Sequence, residues 1–277
     1  MKRTLIATFA VVILAAPIAA QANQTAAGLT KANAARDCAA LKAKMGATAF
    51  ASAYATLGAC VSSFTAVEQQ NSASAEQLCR TEMGDATFSL SHNGKTFDQF
   101  YGTGKKQANA FGNCVSLKAK NSSTAAQQAI QNPSRTCRAA RTAMGAGPFA
   151  LLYGTNANHS NAFGKCVSKV ARAQAPALSN AAKACSAEQS DATTFLAAHA
   201  GKSFAQFYGT NADLSNAFGQ CVSQKAKAAA QETQQATVNG AKACYAERTS
   251  SRTAFDQKYG TGRNAFGKCV SSKASTG

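Results

Sequence analysis

Tryptophan is absent from the 277 residues, aromatics make up 8% of the chain, and acids number 12 against 29 lysines and arginines. Each shortage excludes something. With so little bulky apolar material, a small unit has a thin core and needs covalent help to hold together. With so few acids, Asn156-Ala-Asn158 and Asn211-Ala-Asp213 lack the ligand density of a calcium loop and read as ordinary turns. Cys-x-x-Cys and close Cys/His spacings are missing; the nearest two cysteines lie 19 positions apart, which argues against zinc. Gly-x-Ser-x-Gly, the phosphate loop and the dinucleotide fingerprint are missing as well. No cofactor or metal is expected.

Long apolar runs are absent too, except at the N-terminus. Lys2-Arg3 precedes the apolar stretch Leu5 to Ala16, then Pro17 and Ala20-Gln21-Ala22. These are the parts of a secretory signal over 1–22, cleaved after Ala22. The run is short for a membrane span, and cleavage leaves no transmembrane anchor. The expected location is secreted, periplasmic or extracellular. The formal charge of +17 becomes +15 once Lys2 and Arg3 leave with 1–22, which hold no acid. Such an excess favours solubility and polyanionic partners and says nothing of fold.

What the chain does have is ten cysteines and a repeat. Tyr153-Gly-Thr, followed by Asn161-Ala-Phe-Gly-Lys-Cys166-Val-Ser, recurs from Tyr208 to Ser223, from Tyr101 to Ser116 and, shorter, from Tyr259 to Ser271. A degenerate copy runs from Tyr54 to Ser62. Each copy has a second cysteine upstream: Cys38, Cys79, Cys137, Cys185 and Cys244. The units span 36–69, 74–131, 132–175, 176–231 and 237–277, after a mobile leader over 23–35. Units two and four share an insert, Phe88 to Phe97 and Phe195 to Phe204, and Tyr101 lies 107 residues before Tyr208. A duplicated two-unit block accounts for the alternation of short and long units.

Each unit reads as a helical hairpin. Asn132-Pro133 supplies a cap and a proline at the first helical position, and Cys137, Ala140 and Met144 follow at helical spacing. Pro176 is expected to start unit four in the same way, and Asn239-Gly240 to break the chain before unit five. In the second helix Asn161 is the expected N-cap, and Phe163, Cys166, Val167 and Val170 share one face. Gly164, recurring as Gly112, Gly219 and Gly267, suggests close approach of another backbone. The repeated tyrosine reads as a packing residue whose hydroxyl finds a partner.

An even number of cysteines in an exported chain points to disulfides. Pairing between units strands Cys38 and Cys269, and a helical linker of 19 residues spans roughly 28 Å, too far for a bridge. Pairing within units uses all ten: Cys38–Cys60, Cys79–Cys114, Cys137–Cys166, Cys185–Cys221 and Cys244–Cys269. Each closed loop then contributes about 3–4 kcal/mol.

Reactive constellations are scarce. His92 and His199 sit at equivalent places before Gly-Lys turns, with no recurring carboxylate or second histidine beside them. Glu82, Glu188 and Glu247 each follow a first cysteine by three residues, as a solvated helix face would. Four second helices, those of units two to five, are acid-free, so Lys118, Lys120, Lys165, Lys169, Arg172, Lys225, Lys227, Lys268 and Lys273 are the candidates for a polyanion-binding face. An anionic polymer or an envelope surface is the partner such a face suits; nucleic acid is less favoured.

The fold expected is all-α, a tandem array of five disulfide-stapled helical hairpins of about 50 residues each, in the length range of helical arrays. The function expected is a secreted, cationic, non-enzymatic repeat protein with a structural or binding role at the cell envelope or outside the cell. The alternative is a secreted hydrolase using His92 or His199 with a nearby carboxylate.

Overall fold

The computed structural model describes residues 19–275; the signal read over 1–22 lies almost wholly outside them. Among the described residues the chain is all-helical. The helices are α1 (Ala19–Met45), α2 (Ala47–Tyr54), α3 (Leu57–Met83), α4 (Phe88–Ser91), α5 (Phe97–Tyr101), α6 (Ala110–Gln127) and α7 (Pro133–Met144). They continue as α8 (Ala146–Tyr153), α9 (Ala162–Ser190), α10 (Ala192–Ala198), α11 (Phe204–Tyr208), α12 (Ala217–Ser250), α13 (Arg252–Tyr259) and α14 (Ala265–Ala274). Five disulfides close: Cys38–Cys60, Cys79–Cys114, Cys137–Cys166, Cys185–Cys221 and Cys244–Cys269, with Cα atoms 5.9–6.0 Å apart. No single described helix is long and apolar enough to cross a membrane.

Three of the expected breaks between units are absent. The second helix of one unit runs on into the first helix of the next: α3 holds Cys60 and Cys79, α9 holds Cys166 and Cys185, α12 holds Cys221 and Cys244. Pro176 lies inside α9 rather than at a start. Proline cannot donate to the carbonyl four residues back, at Arg172, but both residues are exposed and water can take that carbonyl. Gly240 lies inside α12 because a Cβ there would come within 3.1 Å of the Val270 carbonyl; glycine lets α14 in. The alanine-rich joins are good helix formers, and nothing in them stops a helix once packing supports it. Only between units two and three does the chain break. There Asn132 accepts from the Arg135 amide at 3.1 Å and Pro133 opens α7. The segment 23–35, expected as a mobile leader, is likewise helical: Thr30, Asn33 and Ala34 are buried, and Thr30 meets Ser72 of α3 at 3.4 Å.

The hairpins do not keep separate cores. Units one, three, four and five, with Ala126, Ala129 and Ile130 from the end of unit two, pool their apolar residues in one cluster from Ala34 to Val270, with Phe64, Phe218 and Phe255 fully buried. Each such side chain contributes about 1.5–3 kcal/mol. Unit two has its own small cluster around Cys79, Phe88, Phe97, Tyr101 and Cys114. Besides the apolar contact at Ala126, Ala129 and Ile130, it meets unit four where Asn121 donates to Ser215 at 2.7 Å and α6 lies against α12 at Gly219.

Gly219 carries that second contact. A Cβ there would meet the Ser122 carbonyl oxygen and Cα at 2.2 and 2.6 Å. The equivalent Gly112, Gly164 and Gly267 face open space, so close approach explains one of the four glycines and not the motif. The repeat presents the same glycine to different neighbours. Gly219→Ala is expected to lower stability by about 1–3 kcal/mol, through overpacking against backbone. Gly164→Ala is expected to raise it by about 0.5–1 kcal/mol, through helix propensity. Denaturant unfolding of the two variants checks both signs.

Candidate functional site

The Tyr-Gly-Thr element and the asparagine of Asn-Ala-Phe-Gly form one clamp. Asn161 does not cap α9 through its side chain. Its Oδ1 accepts from the Thr155 amide at 3.0 Å and its Nδ2 donates to the Thr155 hydroxyl at 2.8 Å. Asn109 holds Thr103 and Asn216 holds Thr210 in the same way. The clamp fixes the preceding tyrosine against the second helix of its hairpin.

What that tyrosine meets differs between units. Tyr101 donates to Glu82 at 2.9 Å, and Glu82 pairs with Lys118 at 2.8 Å. Tyr208 donates to Glu188 at 3.0 Å, and Glu188 pairs with Lys225 at 2.7 Å. In unit five Glu247 takes Lys273 at 3.1 Å and Lys258 at 3.4 Å, and the Lys273 bond above all holds its carboxyl below the usual range. Burial first, then Glu188, pushes the Tyr208 hydroxyl up to about 12, and Tyr101 is shifted the same way by burial and Glu82. Both hydroxyls therefore stay protonated donors at neutral pH.

The three glutamates are thus not a solvated face but inter-helix partners. Lys118, Lys225 and Lys273 leave the polyanion-binding set for the same reason. Lys118 is 2% exposed, and the charges of all three are answered inside their hairpins. Lys120, Lys165, Lys169, Arg172, Lys227 and Lys268 are exposed. Burial first, and then the Lys227 charge, holds the Lys44 ammonium below its usual range; Lys44 donates to the Ile130 carbonyl at 2.5 Å, just past the end of α6.

The histidines are built into aromatic clusters. His92 stacks on Phe88 with ring centroids 3.7 Å apart, and His199 on Phe195 at 3.9 Å. In each, Nδ1 donates to the carbonyl of that same phenylalanine at 2.8 Å, closing a short helix. His159 lies 3.2 Å from the Gly154 carbonyl through Nδ1.

Unit three departs from the pattern. Ala140 stands where units two and four have glutamate, and Val170 stands where they have lysine. Unit one fills the same two positions with Leu41 and Phe64, both fully buried. At unit three the space is left over. A cavity of 640 Å³ lies between α7, α8, α9 and α12, bordered by Ala140, Val170, Met144, Tyr153 and Cys166 and walled by alanines of α9 and α12. Lys169 borders it, its Nζ 5.8 Å from the centre of the Tyr153 ring. Sequence reading passed over this site, although the alanine and valine were in plain view at the Glu/Lys positions.

A second feature also escaped that reading. Asp37 of α1 and Glu68 of α3 are buried side by side, 1% and 0% exposed. Asn71 donates to Glu68 at 2.9 Å, while Glu68 Oε2 and both Asp37 oxygens lack a well-formed bond. Burial, then Glu68, pushes the Asp37 carboxyl up to about 9. Glu68 is raised as well, by burial, with the surrounding donors holding the rise back. Asp37 is therefore protonated in the folded state at neutral pH and ionised when unfolded. The protonated pair contributes fully below the ordinary carboxylate range, and that stability is lost as pH rises toward 9. Asp37→Asn is expected to raise the melting temperature at pH 8 by roughly 5 °C and to leave it unchanged at pH 4. An unaltered pH slope in the variant would show that Asp37 is not the group responsible.

The five closed disulfides fit an oxidising compartment, extracellular or periplasmic. The chain matches no protein-family model, and comparison with characterised proteins and with solved structures finds no match, so the site is read from its own geometry.

Proposed function

We propose that this is an exported, non-enzymatic binding protein: five disulfide-stapled hairpins in tandem, of which the third holds an apolar ligand. One observation carries the reading. The position beside each disulfide is filled by an apolar pair in unit one and by ion pairs in units two, four and five, and it is vacated in unit three, where the 640 Å³ cavity opens. A volume of that size, apolar with a few polar groups at its border, has the character of a small-molecule site.

The hydrolase reading has less support. The Nδ1 atoms of His92 and His199 are committed to backbone carbonyls, and their rings are stacked on phenylalanine. Binding of an anionic polymer through Lys120, Lys165, Lys169, Arg172, Lys227 and Lys268 is a second reading, favoured by the pair of like charges at Lys44 and Lys227. Its test is salt-dependent retention on immobilised sulfated polysaccharide. Lys44→Ala with Lys227→Ala should elute at lower salt than the parent; equal elution goes against it.

The cavity reading is tested with an uncharged, polarity-sensitive aliphatic fluorophore. The parent protein is expected to bind it with enhanced emission. Ala140→Glu with Val170→Lys, which installs the pair found in units two and four, is expected to abolish binding while the five disulfides still form. Ala181→Phe fills the cavity by bulk alone and should act likewise. Undiminished binding by both variants would place the fluorophore elsewhere and overturn the proposal.

A further inference from the structure

We infer that the cavity of unit three takes an aliphatic carboxylate, with its anionic head at Tyr153 and Lys169 and its chain along the alanines of α9 and α12. The inference deepens the cavity reading and rests on it.

The internal repeats supply the argument. In units two and four the tyrosine hydroxyl donates to a carboxylate, at 2.9 and 3.0 Å, and that carboxylate is neutralised by a lysine. Unit three keeps the tyrosine, and keeps Thr155 and Asn161 that clamp it, but has lost the carboxylate to Ala140. Among the described residues the Tyr153 hydroxyl has no hydrogen-bond partner, and Lys169 has no acid partner. A carboxylate supplied from outside would give the tyrosine the acceptor its sister units build from within; Val170 has replaced their lysine, and Lys169, one residue earlier, is the cation beside the ring. Burial raises Tyr153 above its ordinary range, which keeps the hydroxyl a donor.

Charge and shape agree. Among the described residues no aspartate or glutamate borders the cavity, while Lys169 and Lys225 do, and Lys225 is already answered by Glu188. Lys169 is the cation left for a ligand. Much of the wall is methyl groups, at Ala173, Ala177, Ala181, Ala226 and Ala229 with Leu178, and amides and hydroxyls such as Gln174, Asn180 and Thr237 stand among them. Such walls suit an extended methylene chain. A flat aromatic would find one ring, Tyr153, to stack on.

The test uses the oxidised full-length protein with dodecanoate and its methyl ester, each displacing the uncharged fluorophore. Dodecanoate is expected to bind more tightly than the ester. Tyr153→Phe and Lys169→Met are each expected to weaken dodecanoate about tenfold, the cost of a lost charge-assisted hydrogen bond. The ester should change less than twofold. Both substitutions keep the bulk of the side chain, and an unchanged melting temperature excludes a folding defect. If acid and ester bind alike and neither variant matters, the carboxylate inference is overturned while the apolar cavity stands. If nothing displaces the fluorophore, or the fluorophore never binds, the cavity reading falls with it.

Discussion

Alanine helices have shallow surfaces, and two of them laid together bury too little to hold. Here a disulfide stands at the centre of each hairpin contact, and all ten cysteines are at most 1% exposed. The bridge brings two helix backbones to about 6 Å at one point. It contributes about 3–4 kcal/mol by restricting the unfolded chain, so the residues beside it need not maximise burial. Three residues beyond the first cysteine and four beyond the second, two side chains are placed to face each other. That freedom is visible in what occupies the two positions: Leu41 and Phe64, Glu82 and Lys118, Ala140 and Val170, Glu188 and Lys225, Glu247 and Lys273.

The choice at that position has consequences at every level. An apolar pair joins the hairpin to the common core, as in unit one. In units two and four a glutamate–lysine pair gives the buried tyrosine an acceptor and takes up a lysine that would otherwise be surface charge. A small pair leaves volume. Breaking a buried ion pair by removing one member is costly, because the other charge is stranded; removing both members together, as unit three has relative to units two and four, strands none. What is left in unit three is a tyrosine held by its clamp, with its hydroxyl unanswered.

Much of this was legible in the chain. The cysteines, the Tyr-Gly-Thr and Asn-Ala-Phe-Gly motifs and the helical spacing are local, and the Asn132-Pro133 start stood where expected. The ion pairs were also legible in principle: Lys118 occupies the place of Val170 on the stripe shared with Phe163 and Cys166, so a lysine aligned on the apolar face announces a buried partner. Counting it as surface charge ignored the register that the repeat itself supplied.

Sequence alone determined that the chain is helical and repetitive and which cysteines lie on facing helices, because these follow from residue type at short range. Tertiary structure decided the rest. Whether Pro176 and Gly240 end a helix or ride inside one depended on neighbours: water outside α9, and the Val270 carbonyl beside α12. Asp37 and Glu68 are distant in sequence, and Glu68 adds to the rise of the Asp37 carboxyl only because α1 and α3 pack with both carboxyls buried. The cavity needed α9 and α12 to lie side by side over Ala140 and Val170. Which small side chains line a space, rather than merely lie along a helix, is settled by the helices opposite, and no local pattern encodes that.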